Sequence, residues 1–140
     1  MTSVSGSLAF QLGKLGQAAT AGFADRLAPL GLRPRHCGVL ELLAGGGRGQ
    51  LDLARTLDVT PSVVVDMLDE LEALHAVRRT RDTGDRRRQI VELTPEGREL
   101  RLEAARLAHE VDAELLGHLG AEQLATLRLL LGQAYAPWRR

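Results

Sequence analysis

Leu51-Asp-Leu-Ala54-Arg-Thr-Leu57-Asp-Val-Thr60-Pro61-Ser62 is the stretch on which the reading of the fold turns. Its apolar residues recur at helical spacing as far as Leu57, and Asp58-Val59 breaks the pattern. Thr60-Pro61 restarts it, because a threonine caps free helix N–H groups and proline suits the first helical position. The second helix, over 60–75, carries Val64, Leu68 and Leu71 as an i, i+4, i+7 buried stripe. Past Ala76, two runs of strand-forming residues, 77–81 and 89–93, flank Asp82-Thr-Gly84-Asp85-Arg86-Arg87-Arg88, with Gly84 marking the turn.

Helix, turn, helix and arginine-tipped hairpin together form the outline of a winged helix-turn-helix, an architecture that reads double-stranded DNA. Working outward, a first helix is predicted over 5–28, with Leu8, Leu12, Leu15, Ala19, Phe23 and Leu27 at helical spacing. Gly13, Gly16 and Gly22 interrupt it at about 1 kcal/mol each, so packing against the core or a partner must hold it. Pro34 opens a second helix to Leu43 with Val39, Leu40, Leu42 and Leu43 inward, and Gly45-Gly-Gly-Arg-Gly49 reads as a connecting loop. After the hairpin, Thr94-Pro95-Glu96 repeats the cap-plus-proline start. A long helix to Leu116 carries Leu100, Leu107, Val111 and Leu115 on one side, and a last helix spans 121–136 before Pro137-Trp138. The predicted class is mainly α with a small β-hairpin wing in a single domain, 1–140. Its winged unit lies at about 34–95, flanked by dimerisation helices at 5–28 and 96–138.

Composition fits this frame. At 140 residues the chain supports one core, with 44% hydrophobic but only 3% aromatic residues, so Leu, Val and Ala must fill it. Net charge is zero, which excludes a binder held by bulk charge alone. Its distribution is uneven: residues 78–88 hold six arginines against two aspartates, whereas 58–72 hold five acids and no base. A neutral protein can still carry such a local phosphate-binding stripe. One cysteine, Cys37, precludes an internal disulfide or a multi-cysteine zinc site. No run reaches the roughly 18 apolar residues of a membrane span, and Met1-Thr-Ser-Val lacks the features of a signal peptide, so the expected location is cytoplasmic. His36, His75, His109 and His118 are scattered, without catalytic or metal-ligand spacing; the chain reads as no enzyme, with no metal and no cofactor.

The segments 51–62, Leu71-Glu-Ala-Leu-His75-Ala-Val77, Asp85-Arg-Arg87 and Leu93-Thr-Pro-Glu-Gly97 together resemble the MarR family of transcriptional regulators. That resemblance implies a homodimer whose first and last helices interlock over a pseudo-palindromic operator. It also implies a regulator, typically a repressor, released from DNA by a small aromatic acid. On this reading Thr60, Ser62, Val63 and Asp66 lie at the groove. Arg81, Arg86, Arg87 and Arg88 anchor the wing, with Asp85 holding Arg87 in the family's Asp-x-Arg arrangement. The effector site, between the first two helices and the start of the fifth, has Arg35, His36 and Cys37 as its polar candidates.

The chain departs from the family pattern in three places. Asp66, Asp69 and Glu70 are expected on the outward face of the 60–75 helix, where acids repel phosphate and only a cytosine amino group rewards them. That face is what favours the alternative, a winged-helix protein-interaction module with weak or lost DNA binding. His75 stands where glycine usually ends the helix, which predicts a C-cap role. Arg33 replaces a capping threonine, which predicts a weakened start for the second helix.

Overall fold

Ser7 sets the start of the first long helix: its Oγ accepts the Phe10 N–H at 3.2 Å, and α1 runs Leu8–Leu27 behind a single 3₁₀ turn at Val4–Gly6. The computed structural model describes residues 3–135. The helix therefore begins three residues later than periodicity predicts, because the serine cap overrides the weaker apolar pattern before it. Only Leu27 of α1 is buried, and Leu8, Leu12 and Leu15 stay exposed on the single chain. A 3₁₀ turn, Ala28–Leu30, leads through Gly31, whose φ of 75° is left-handed, to α2 (Pro34–Leu43). His36, Val39, Leu40 and Leu43 form the inner side of α2.

The glycine-rich connector is not wholly a loop. Arg48–Gly49 forms a short strand, β1, that pairs antiparallel with the hairpin, Arg48 opposite Val91 and Gly49 opposite Ile90. Two residues carry no periodicity, so pairing with a distant edge decides their state. Helix α3 (Gln50–Leu57) follows, closed by Asp58 at φ 54° in the left-handed region that aspartate tolerates better than most residues. Helix α4 is Pro61–Ala73, slightly shorter than 60–75 because Thr60 is its cap and Leu74 leaves helical geometry. Its Val64, Met67, Leu68 and Leu71 are buried. His75, at φ 60°, fills the left-handed position after the helix, as the C-cap reading requires.

Strands β2 (Val77–Arg81) and β3 (Gln89–Leu93) form the hairpin with Val77 opposite Leu93 and Arg81 opposite Gln89, giving a sheet of order β1-β3-β2. Val77, Val91 and Leu93 point into the core, which continues through Leu27, Leu40, Leu53, Leu68 and Leu107. Helix α5 (Pro95–Leu116) is locked to the base of the hairpin. Thr94 Oγ1 accepts the Gly97 N–H (2.9 Å) and donates to the His75 carbonyl, while the Thr94 N–H reaches the Ala76 carbonyl at 3.0 Å. Helix α6 (Ala121–Tyr135) buries none of its residues within the chain. The predicted Ala136 and Pro137-Trp138 lie outside the described residues.

Candidate nucleic-acid interface

Helix α4 packs beside strand β2 of the hairpin, and both carry exposed residues. At the start of α4 Thr60 Oγ1 accepts the Val63 N–H (3.3 Å) and lies 3.1 Å from the Ser62 hydroxyl. Thr60 is thus engaged as the cap, and Ser62 is exposed beside free helix N–H groups, where an anion is favoured. Val63 is half-buried against the core, so of the two valines that flank Val64 it is Val65 that shares the outer side with Ser62 and Asp66.

The acids of α4 are not the bare repulsive face that the helix read alone predicts. Glu70 accepts from Arg33 Nη2 at both carboxylate oxygens (2.6 and 2.5 Å), from Arg35 Nη2 (3.3 Å), and lies 3.0 Å from His36 Nε2. Asp69 and Glu72 both receive Arg79, at 2.6 Å each. Asp66 alone of the outward acids has no ion pair among the described residues. Arginines from α2 and β2 thus neutralise the helix from opposite flanks. Periodicity along one helix cannot report such pairs, which join residues 7 to 37 positions apart.

His36 accounts for the third departure, at Arg33. It is fully buried; its Nδ1 accepts the Arg33 backbone N–H at 2.8 Å, which leaves the ring proton on Nε2, facing Glu70. The imidazole does at N3 what Glu or Gln does in a capping box, so the start of α2 is not weakened by losing threonine at position 33. Burial lowers the His36 pKa, opposed by the Glu70 charge and reinforced by Arg33 and Arg35. Glu70 is held below the usual carboxylate range, chiefly by its hydrogen bonds from Arg33.

The wing arginines divide into two groups. Arg78 pairs with Glu92 (3.3 Å) and Arg79 with α4, so both serve the strand's own surroundings. Arg81, Arg86, Arg87 and Arg88 are exposed around the tip. There Asp82 accepts the Gly84 N–H, and Asp85 accepts the Arg87 N–H (3.0 Å) and lies 3.4 Å from Arg87 Nε. Asp85 thereby aims a guanidinium whose side chain remains 93% exposed. Arg88 lies across Gly49, where a β-carbon would stand 2.8 Å from its Nε, and 3.8 Å from Asp82.

Of the residues singled out for an effector, the structure separates two from the third. Arg35 and His36 turn toward Glu70, whereas Cys37 lines a cleft between α1, α2 and α5. That cleft holds about 180 Å³ and is walled by Phe23, Leu40, Ala104, Ala105 and Ala108, with Glu41 and Arg101 at its polar edge. Arg101 Nε is 3.2 Å from Glu41 but is misaligned for a hydrogen bond, and it is buried. Neither residue was singled out from sequence; they lie on different helices, and only folding brings them together. Burial, with the Glu41 charge, pushes the Cys37 thiol up to about 11, so it is not a reactive thiolate at neutral pH. No helix among the described residues is long and apolar enough to cross a membrane.

A family model described as MarR family matches residues 44–88, from the end of α2 through the wing tip. Transcriptional regulator HosA of Escherichia coli O157:H7 is 33% identical over 113 residues, covering 81% of this chain and 83% of that protein. Among solved structures, CouR from Rhodococcus jostii RHA1 bound to p-coumaroyl-CoA superposes with a TM-score of 0.78. It is 29% identical and covers 96% of this chain and 95% of that one. A cysteine-to-serine mutant of E. coli MarR complexed with operator DNA gives 0.75 at 25% identity, over 91% and 92% of the two chains.

Proposed function

Because this chain belongs to the MarR family of transcriptional regulators, we propose that it is a homodimeric repressor that grips a pseudo-palindromic operator and leaves it when a small aromatic acid binds. The observation that carries the DNA-binding part is the exposed arginine cluster at the wing tip, Arg81, Arg86, Arg87 and Arg88, in the same winged unit as the exposed N-terminal turn of α4. In this reading α4 enters the major groove with Ser62, Val65 and Asp66 toward base edges, Thr60 and Ser62 near a phosphate, and the wing along the adjacent backbone. The dimer reading rests on α1 and α6, where Leu8, Leu12, Leu15, Leu129, Leu130 and Leu131 stay exposed on one chain. The effector reading rests on the apolar cleft, where Arg101 would exchange Glu41 for the carboxylate of the acid. MarR is complexed with operator DNA and CouR with an aromatic thioester, which supports both halves by analogy. The regulator would act in the cytoplasm, as expected of a protein that meets operator DNA.

The test is a fluorescence-anisotropy titration against DNA from the gene's own upstream region at two salt concentrations. Tight binding should weaken steeply with salt, each neutralised phosphate adding about 0.9 to the log–log slope. Arg87→Ala should lose at least one such contact and bind about tenfold more weakly. Binding no stronger than to random DNA, or unaffected by Arg87→Ala, would turn the reading toward a protein partner at the α4 face.

A further inference from the structure

We infer that Arg33 and Arg35, which lie against Glu70, form a second phosphate-binding point on the flank of α4 opposite the wing. The inference rests on the DNA-binding reading above and adds a contact point to it. A helix is about 10–12 Å across and the major groove about 12 Å wide, so a helix in the groove has a phosphate backbone along each flank. One flank of α4 is served by Arg79 and the wing. The other carries Glu70, with Arg33 and Arg35 laid against it from the first turn of α2.

The charges on that second flank do not cancel. One carboxylate faces two guanidiniums, and the third group on Glu70, His36, is fully buried and held as the Nε2–H tautomer by the Arg33 N–H. One positive charge is left over. Each guanidinium has five N–H donors, and only Nη2 of either arginine is committed to Glu70. The Arg33 and Arg35 side chains remain 53% and 44% exposed, with their other donors free to meet phosphate oxygens. A salt bridge that served only to neutralise Glu70 would need one arginine.

The experiment measures salt-dependent binding to a mixed-sequence 30-base-pair duplex, because phosphate contacts act regardless of sequence. Removing the arginines alone would also uncover Glu70, so two variants are compared. Glu70→Gln should keep the wild-type log–log slope. The triple variant Arg33→Gln/Arg35→Gln/Glu70→Gln should lose about 1 to 2 from it. Its affinity drop between 50 and 200 mM salt should then shrink by about 4- to 16-fold. Equal slopes for the two variants would overturn the inference and leave the arginines as neutralisers of Glu70. Should the triple variant fail to fold by circular dichroism, Arg35→Gln alone must lower the slope by about 0.9, and an unchanged slope again overturns it. If the unsubstituted protein does not bind the duplex at low salt, the DNA-binding reading falls as well. If Arg87→Ala weakens binding while the α2 arginines do not matter, only this inference falls.

Discussion

At the scale of single residues, His36 is the most consequential side chain that is not on the surface. It caps α2, contacts the carboxylate of α4 and is buried without charge. Since its pKa is lower in the folded chain than in the unfolded one, the unfolded state takes up the proton first as pH falls. The stability His36 contributes is therefore complete above its unfolded value of about 6.5 and is lost between there and its folded value. Thermal melts should show Tm falling from pH 7 toward pH 5.5, and His36→Gln should flatten that dependence. Glutamine can accept the Arg33 N–H and donate to Glu70, as in an ordinary capping box. His36→Ala should cost about 2 kcal/mol at pH 7, since the cap is lost and a buried space is left.

At the scale of elements, the junction of hairpin and α5 leaves no room for a side chain at Gly97. A β-carbon on Gly97 would stand 1.9 Å from the Ala76 carbonyl oxygen, and backbone cannot retreat as a flexible side chain can. Gly97→Ala should therefore destabilise by about 3 kcal/mol or more, read as a lower urea midpoint with little change in m. The elements themselves were legible to different degrees. The cap-plus-proline starts at Thr60 and Thr94 and the apolar stripe of α4 state their structure locally, and the hairpin strands fall where their residue types place them. Strand β1 was not legible, because Arg48 and Gly49 become a strand only through Val91 and Ile90. The site was half legible for the same reason. Arginines clustered along the chain announce the wing, but Arg33, Arg35 and Arg79 find their acids across helix–helix and helix–strand contacts. Read without them, α4 has a negative surface that the folded protein largely lacks.

At the scale of the whole molecule, the feature with the widest consequence is a set of uncovered leucines. Leu129, Leu130 and Leu131 of α6 are exposed, as are Leu8, Leu12 and Leu15 of α1, and a groove of about 480 Å³ lies beside Leu124, Leu127 and Leu131. Covering such surface yields roughly 25 cal/mol per Å², which would favour a second chain there. Sedimentation should give twice the 15.2 kDa of one chain, and Tm should rise with protein concentration. Leu131→Glu should shift the protein toward the single-chain mass, with a lower Tm.

The close join at Thr94 and Gly97 fastens the 22-residue α5 to the base of the wing, and a helix so fastened acts as a rod. At 1.5 Å per residue the rod is about 33 Å long, so a tilt of about 10° at its far end carries the wing base by about 6 Å. Successive base pairs are about 3.4 Å apart. In a two-chain assembly on DNA such rods would work as the legs of a pair of dividers: a few degrees at their far ends would decide whether the two points still span one turn of the double helix.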